Sequence, residues 1–131
     1  MRSRRLIFVV ALLAVSCQSP RQRDARERGG VEHVVLCWLK TPGDASARQR
    51  VIYESKAFVG VIPGLLHVSA GTALPSTRPA VDASFDVAVV MTFRDEAALR
   101  AYDAHPAHKK AVDEVLRPLV ARLVVYDFRN Q

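Results

Sequence analysis

FDVAVVMTFRDEAALRAYDAHPAH, residues 85–108, decides how the rest of the chain is read. Its first nine residues are a strand by composition, because valine, methionine and phenylalanine suit a pleated, half-buried surface. Phe85, Val87, Val89, Met91 and Phe93 share one face and Asp86, Ala88, Val90 and Thr92 the other. Asp95 then stands where a helix cap belongs, and EAALRAYDAH reads as a helix up to Pro106. A proline fits the first turn of a helix, where its missing N–H has no partner to lose. The pattern therefore predicts a break at Pro106 and a second helical piece, AHKKAVDEVLRPLV.

Working outward, VEHVVLCWLK at 31–40 is strand-like, and Asp44 or Ser46 can cap a helix reaching about Val61. Ala47, Val51, Phe58 and Ile62 form its apolar stripe, and Pro63-Gly64 ends it. LLHVSAGTAL at 65–74 is a second strand, PSTRPAVDAS a loop with two prolines, and LVVYDF at 123–128 a last strand. The order is β-α-β-β-α-β, an α+β chain with the ferredoxin-like split arrangement. Repeats and low-complexity tracts are absent.

Both sheet faces are apolar. His33, Val35, Cys37 and Leu39 alternate with Val34, Leu36 and Trp38, and the strand at 85–93 is apolar on both sides too. Two helices cover one side of a four-stranded sheet, and an antiparallel sheet in that position should show a polar second face. A second copy of the same sheet, packed face to face, is the simplest cover, and it predicts a homodimer with room for a small apolar ligand.

The front end is of another kind. MRSRRLIFVVALLAVSC has three arginines, an apolar run from Leu6 to Val15, then Ser16 and Cys17. The run is short of the roughly 20 apolar residues a membrane span needs, and it reads as an export signal. Leu13-Ala14-Val15-Ser16-Cys17 resembles a bacterial lipobox, with alanine where leucine is commoner. The expectation is a signal peptide at 1–17, lipidation of Cys17, a flexible tether at 18–30 and a folded domain at 31–131. Gln18, where an aspartate would retain the protein, points to the outer membrane, facing the periplasm.

Charge follows these divisions. The formal net charge of +6 includes three arginines before residue 18 and a surplus of two between 18 and 30. From Val31 onward 12 Lys/Arg face 11 Asp/Glu, so the domain offers no evident footprint for nucleic acid. With Cys17 lipidated, Cys37 is left without a disulfide partner, and in an oxidising compartment a lone thiol belongs in the core.

Together, HVVLxW, IPGL, FDVAVVMTF, the AYDAHPAH element and a terminal VVYDF resemble the stress-responsive dimeric α/β-barrel (Dabb) domains over about residues 31–128. The Tyr-x-x-His-Pro-x-His element, Tyr102 to His108, is the most specific part of the match. The resemblance implies a ferredoxin-like protomer, a barrel made by two copies, and a cavity in each. Some members of that family are cofactor-free polyketide cyclases. Their tyrosine and last histidine correspond to Tyr102 and His108, and two pocket-lining histidines correspond to His33 and His105.

The residues themselves leave several chemistries open. His108 has the intrinsic pKa of a general base near neutrality, and the Tyr102 phenol can donate to a developing enolate oxygen. The structural alternative is that His105 caps, Pro106 starts the next helix and His108 stacks on a neighbour. Metal is not expected, because His105 and His108 supply two ligands where zinc takes three or four, and His33 and His67 lie on separate strands. No cofactor is implied. Trp38 reads as core or interface, Cys37 as inert, and Lys109-Lys110 as a solvated helix face. The expected function is a lipid-anchored homodimer binding a small apolar molecule. A cofactor-free enzyme, cyclase-like or monooxygenase-like, and a purely structural envelope protein are the alternatives.

Overall fold

The computed structural model describes residues 29–131; the signal peptide, Cys17 and almost all of the tether lie outside the described residues. Four strands, β1 (Val31–Leu39), β2 (Leu65–Gly71), β3 (Val87–Phe93) and β4 (Val120–Arg129), form one sheet in the order β2-β3-β1-β4. All neighbours are antiparallel. Helices α1 (Ala45–Lys56), α2 (Glu96–Ala104), α3 (Pro106–Ala111) and α4 (Arg117–Leu119) lie on one side, with a π-helical turn at Val112–Leu116 between the last two. This is the ferredoxin-like architecture expected from the element order.

Local chemistry sets each helix start. The Asp44 carboxylate accepts the Ala47 N–H at 3.0 Å, and the Asp95 carboxylate accepts that of Ala98 at 2.8 Å. At the Pro106 break the cap is an imidazole: His105 Nδ1 accepts the Ala107 N–H at 3.1 Å, and Pro106 opens α3. Pro118 has no N–H to donate, and the turn before it widens, with the Arg117 N–H reaching the Val112 carbonyl.

The structure corrects several sequence boundaries, and the central strand begins at Val87 rather than Phe85. The first helix ends at Lys56 rather than near Val61: the Phe58 and Val59 N–H groups bond three residues back, to the Ser55 and Lys56 carbonyls, and Gly60 (φ +82°) then turns the chain away. Phe58 and Ile62 still reach the core. Strand β2 stops at Gly71, opposite Ala88, the last pair of its ladder with β3. The last strand starts earlier than expected, at Val120, which pairs with Leu39 across a bulge. Gly64 must be glycine twice over, since its φ is +80° and a Cβ there would lie 2.6 Å from that of Ala98.

The core lies between sheet and helices. Cys37 and Leu39 from β1, Val87, Val89, Met91 and Phe93 from β3, Val51 from α1 and Tyr102 from α2 are buried in it. The opposite face carries Val34, Leu36 and Trp38, beside Ala88 and Val90 on β3 and Val124, Tyr126 and Phe128 on β4. Tyr126 and Phe128 are 57% and 53% exposed, so the β4 side of this face has no cover among the described residues. Edge strand β4 is also bare on the helix side, where Leu123 and Val125 are 44% and 41% exposed.

Candidate functional site

The site forms where α2 and α3 cross β1 beside that bare edge. Tyr102 comes from the last full turn of α2, and the His105-Pro106 corner folds His108 back against it. The two rings stack at 4.1 Å between centroids, with planes 34° apart. Sequence spacing could not supply this contact, because the chain changes direction between them. His33, from β1, stands edge-on to Tyr102 at 5.6 Å. Phe58 and Phe93 complete the aromatic cluster, 5.9 and 5.2 Å from the Tyr102 ring.

Two spaces meet at this cluster. A small chamber of about 40 Å³ lies inside the core, lined by Cys37, Val51, Phe58 and Met91 among others. A larger cleft of about 390 Å³ opens between the α2–α4 segment and β4. Tyr102 and His108 line both, with Val35 and Leu116. His33 lines the cleft, whereas His105 lines neither space and serves as the α3 cap. Three of the four histidine and tyrosine positions singled out by the sequence are thus gathered at one place.

Hydrogen bonding assigns the protons. A carbonyl only accepts, so the 3.3 Å contact from His108 Nδ1 to the Asp103 carbonyl has Nδ1 as donor. In the neutral ring, Nε2 then keeps its lone pair and can accept a proton or a ligand hydrogen bond. His33 Nδ1 lies 2.6 Å from the Asp127 carboxylate, which fixes that ring as well. Burial, with Asp103 and Asp127 nearby, pushes the Tyr102 phenol well above its ordinary pKa, so it is a donor at any physiological pH. Among the described residues its hydroxyl has no hydrogen-bond partner, and none of their side-chain polar atoms is buried without one. The hydroxyl therefore retains access to the space Tyr102 lines.

Asp127 is the functional candidate that sequence reasoning missed. Its signal was the single acid in the apolar run LVVYDF, but its meaning depends on the ladder that sets His33 opposite Asp127. Cys37, by contrast, is as inert as expected: burial pushes its thiol up to about 11. No group of three or more His, Cys, Asp or Glu suited to a metal occurs among the described residues.

Comparison with known proteins agrees with this architecture. No curated protein matches the sequence. A solved Dabb family protein with a ferredoxin-like fold from Mesorhizobium loti is 26% identical, with a TM-score of 0.61, covering 77% of this chain and 96% of that one. A protein of unknown function from Thermobifida fusca, described as dimeric and ferredoxin-like, is 25% identical with a TM-score of 0.61, covering 79% and 92%. The hydroxynitrile lyase of Passiflora edulis shares the fold at 20% identity and a TM-score of 0.62, over 76% of this chain and 92% of that one. The sequence profile of the stress-responsive A/B barrel domain matches residues 31–130, nearly the whole described structure. On that match, and on the sheet order and Tyr102–His108 corner described above, the chain belongs to the stress-responsive A/B barrel (Dabb) domain family.

Proposed function

We propose that the protein is a homodimer that binds a small, largely apolar molecule bearing one oxygen function, in the cleft beside Tyr102, His108 and His33. The observation that carries this reading is the cleft of about 390 Å³, whose aliphatic walls converge on a free phenol and an imidazole of assigned tautomer. An opening at this place favours binding over a purely structural role. Dimerisation is supported by the uncovered apolar face and by the dimeric relative from Thermobifida fusca.

The test uses 2-naphthol, which has an apolar body and a single hydroxyl. Tyr102→Phe and His108→Ala should each weaken its binding by about tenfold, the worth of one hydrogen bond in a dry site. Tyr102→Phe removes a hydroxyl with no partner among the described residues, so its unfolding free energy should stay within about 0.5 kcal/mol of the parent. Unchanged titration curves in both variants, with His108→Ala losing stability, would mean that the pair only holds the helix junction.

One observation favours a second reading, cofactor-free proton transfer. His108 Nε2 and the Tyr102 hydroxyl belong to stacked rings that line the same space. A carbonyl ligand seated there could lose an α-proton to Nε2 while its enolate oxygen accepts the phenol hydrogen bond. Deuterium wash-in at the α-carbon of a bound ketone, lost in His108→Ala, distinguishes this from binding alone.

The anchor is part of the same proposal: Cys17 carries lipid and places the domain in the bacterial envelope, at the periplasmic side of the outer membrane. Its support is the lipobox-like stretch ending at Cys17, followed by Gln18. Cys17→Ala should abolish labelling by an alkynyl palmitate analogue, and a mutant that is still labelled would refute it.

A further inference from the structure

Besides the cleft and the chamber, a groove of about 240 Å³ runs over the outer side of the helix layer, between α1 and α3. The chamber shares Glu54, Phe58, Ala111 and Val115 with this groove, while the cleft and the groove have no lining residue in common. The chamber therefore lies against both, sharing one set of wall residues with the cleft and another with the groove. Phe58 stands between chamber and groove. It lies just past the end of α1, in the turn closed by Gly60, and its ring meets Tyr102 and His108 edge-on at 5.9 and 6.5 Å. Phe58 is the one aromatic side chain in the wall that chamber and groove share, and the same ring touches the edge of the Tyr102–His108 stack.

The groove itself is shallow and small-walled, with Ala57, Ala107 and Ala111 along it. Its charges are matched in pairs, Arg50 with Glu54 at 3.0 Å and Lys110 with Glu114 at 3.9 Å. A surface of this kind offers no net field to an ion and suits a neutral molecule. The cleft's own mouth runs along β4, whose other face carries Tyr126 and Phe128. The groove lies on the far side of the helices from that face.

We propose that Phe58 gates a second portal, by which small neutral apolar ligands pass from the groove between α1 and α3 to Tyr102 and His108. The proposal rests on the binding reading above, and rates separate the two. Stopped-flow fluorescence with 2-naphthol on the full chain is the experiment. Ala57→Trp fills the groove from an exposed position that touches neither chamber nor cleft. It should slow association and dissociation by the same factor, about twofold if the two routes carry similar traffic, leaving Kd unchanged, the signature of a portal rather than of a binding contact. Phe58→Leu should speed both rates, and Lys109→Trp, on the same helix layer outside the groove, should match the parent. Parental rates in Ala57→Trp would overturn the portal while leaving the binding reading intact, as would a change in dissociation alone. Absence of 2-naphthol binding by the parent would remove both.

Discussion

Val89→Asp is expected to yield no folded protein, whereas Val90→Asp, the next residue on the same strand, is expected to yield a folded monomer. Val89 is 2% exposed among Cys37, Met91 and Val51, and an aspartate there must either ionise in an apolar core or give up its charge. The cost is about 5 kcal/mol or more, comparable with the whole stability of a domain this size. Val90 pairs with Val34, which pairs in turn with Tyr126, in the middle of the uncovered face. A charge there is solvated in the protomer and becomes costly only when a second sheet docks. Circular dichroism should separate the two variants, and sedimentation should show Val90→Asp as a monomer beside a dimeric parent. A dimeric Val90→Asp would place the contact between copies elsewhere.

Asp86→Ala should be the next most damaging substitution, at about 3–5 kcal/mol, because it leaves an arginine and two amides without their acceptor. Asp86 is 5% exposed. Its carboxylate accepts the Leu39 N–H at 3.0 Å, the Gly43 N–H at 2.8 Å and the Arg48 guanidinium at 2.8 Å. These bonds hold the turn between β1 and α1. Burial pushes the Asp86 pKa up, but the bonds from Leu39, Gly43 and Arg48 outweigh it, and the net position is below the ordinary 3.8. A depressed folded-state value means that the contribution is complete above the unfolded value and is lost as pH falls through the folded one. Melting temperatures taken from pH 7 down to 3 should therefore converge between parent and Asp86→Asn at the acid end. A constant gap across that range would show that the carboxylate charge contributes nothing.

Much of this could be read from the chain alone because it is local. Alternation along 85–93 marked the central strand, Asp44 and Asp95 announced their helices, and Pro106 divided one helix from the next. Each depends on side chains within a few residues of one another, and the capping bonds span three positions or fewer. The end of α1 is hidden for the same kind of reason: the apolar stripe continues to Ile62 in space although the backbone leaves the helix at Lys56. The family resemblance drew on the same local motifs, taken in order.

The contacts that make the site are of the other kind. Asp86 looked like one more alternating residue of a strand, and only folding brings Leu39 at the end of β1, Gly43 in the turn and Arg48 on α1 around it. Asp127 was an unremarked acid until the β1–β4 ladder set it opposite His33, 94 positions away. The stack of Tyr102 on His108 arises because His105 caps and Pro106 redirects the chain, an angle that letters spaced three apart do not encode. By itself the sequence determined the periodicity, the caps and breaks, and an apolar character on both faces of the sheet, since these follow from nearest-neighbour chemistry. Only the tertiary structure decided which polar groups meet, and that the helices stop short of β4 and leave a cleft, because both depend on long-range register and on how far one layer reaches across another.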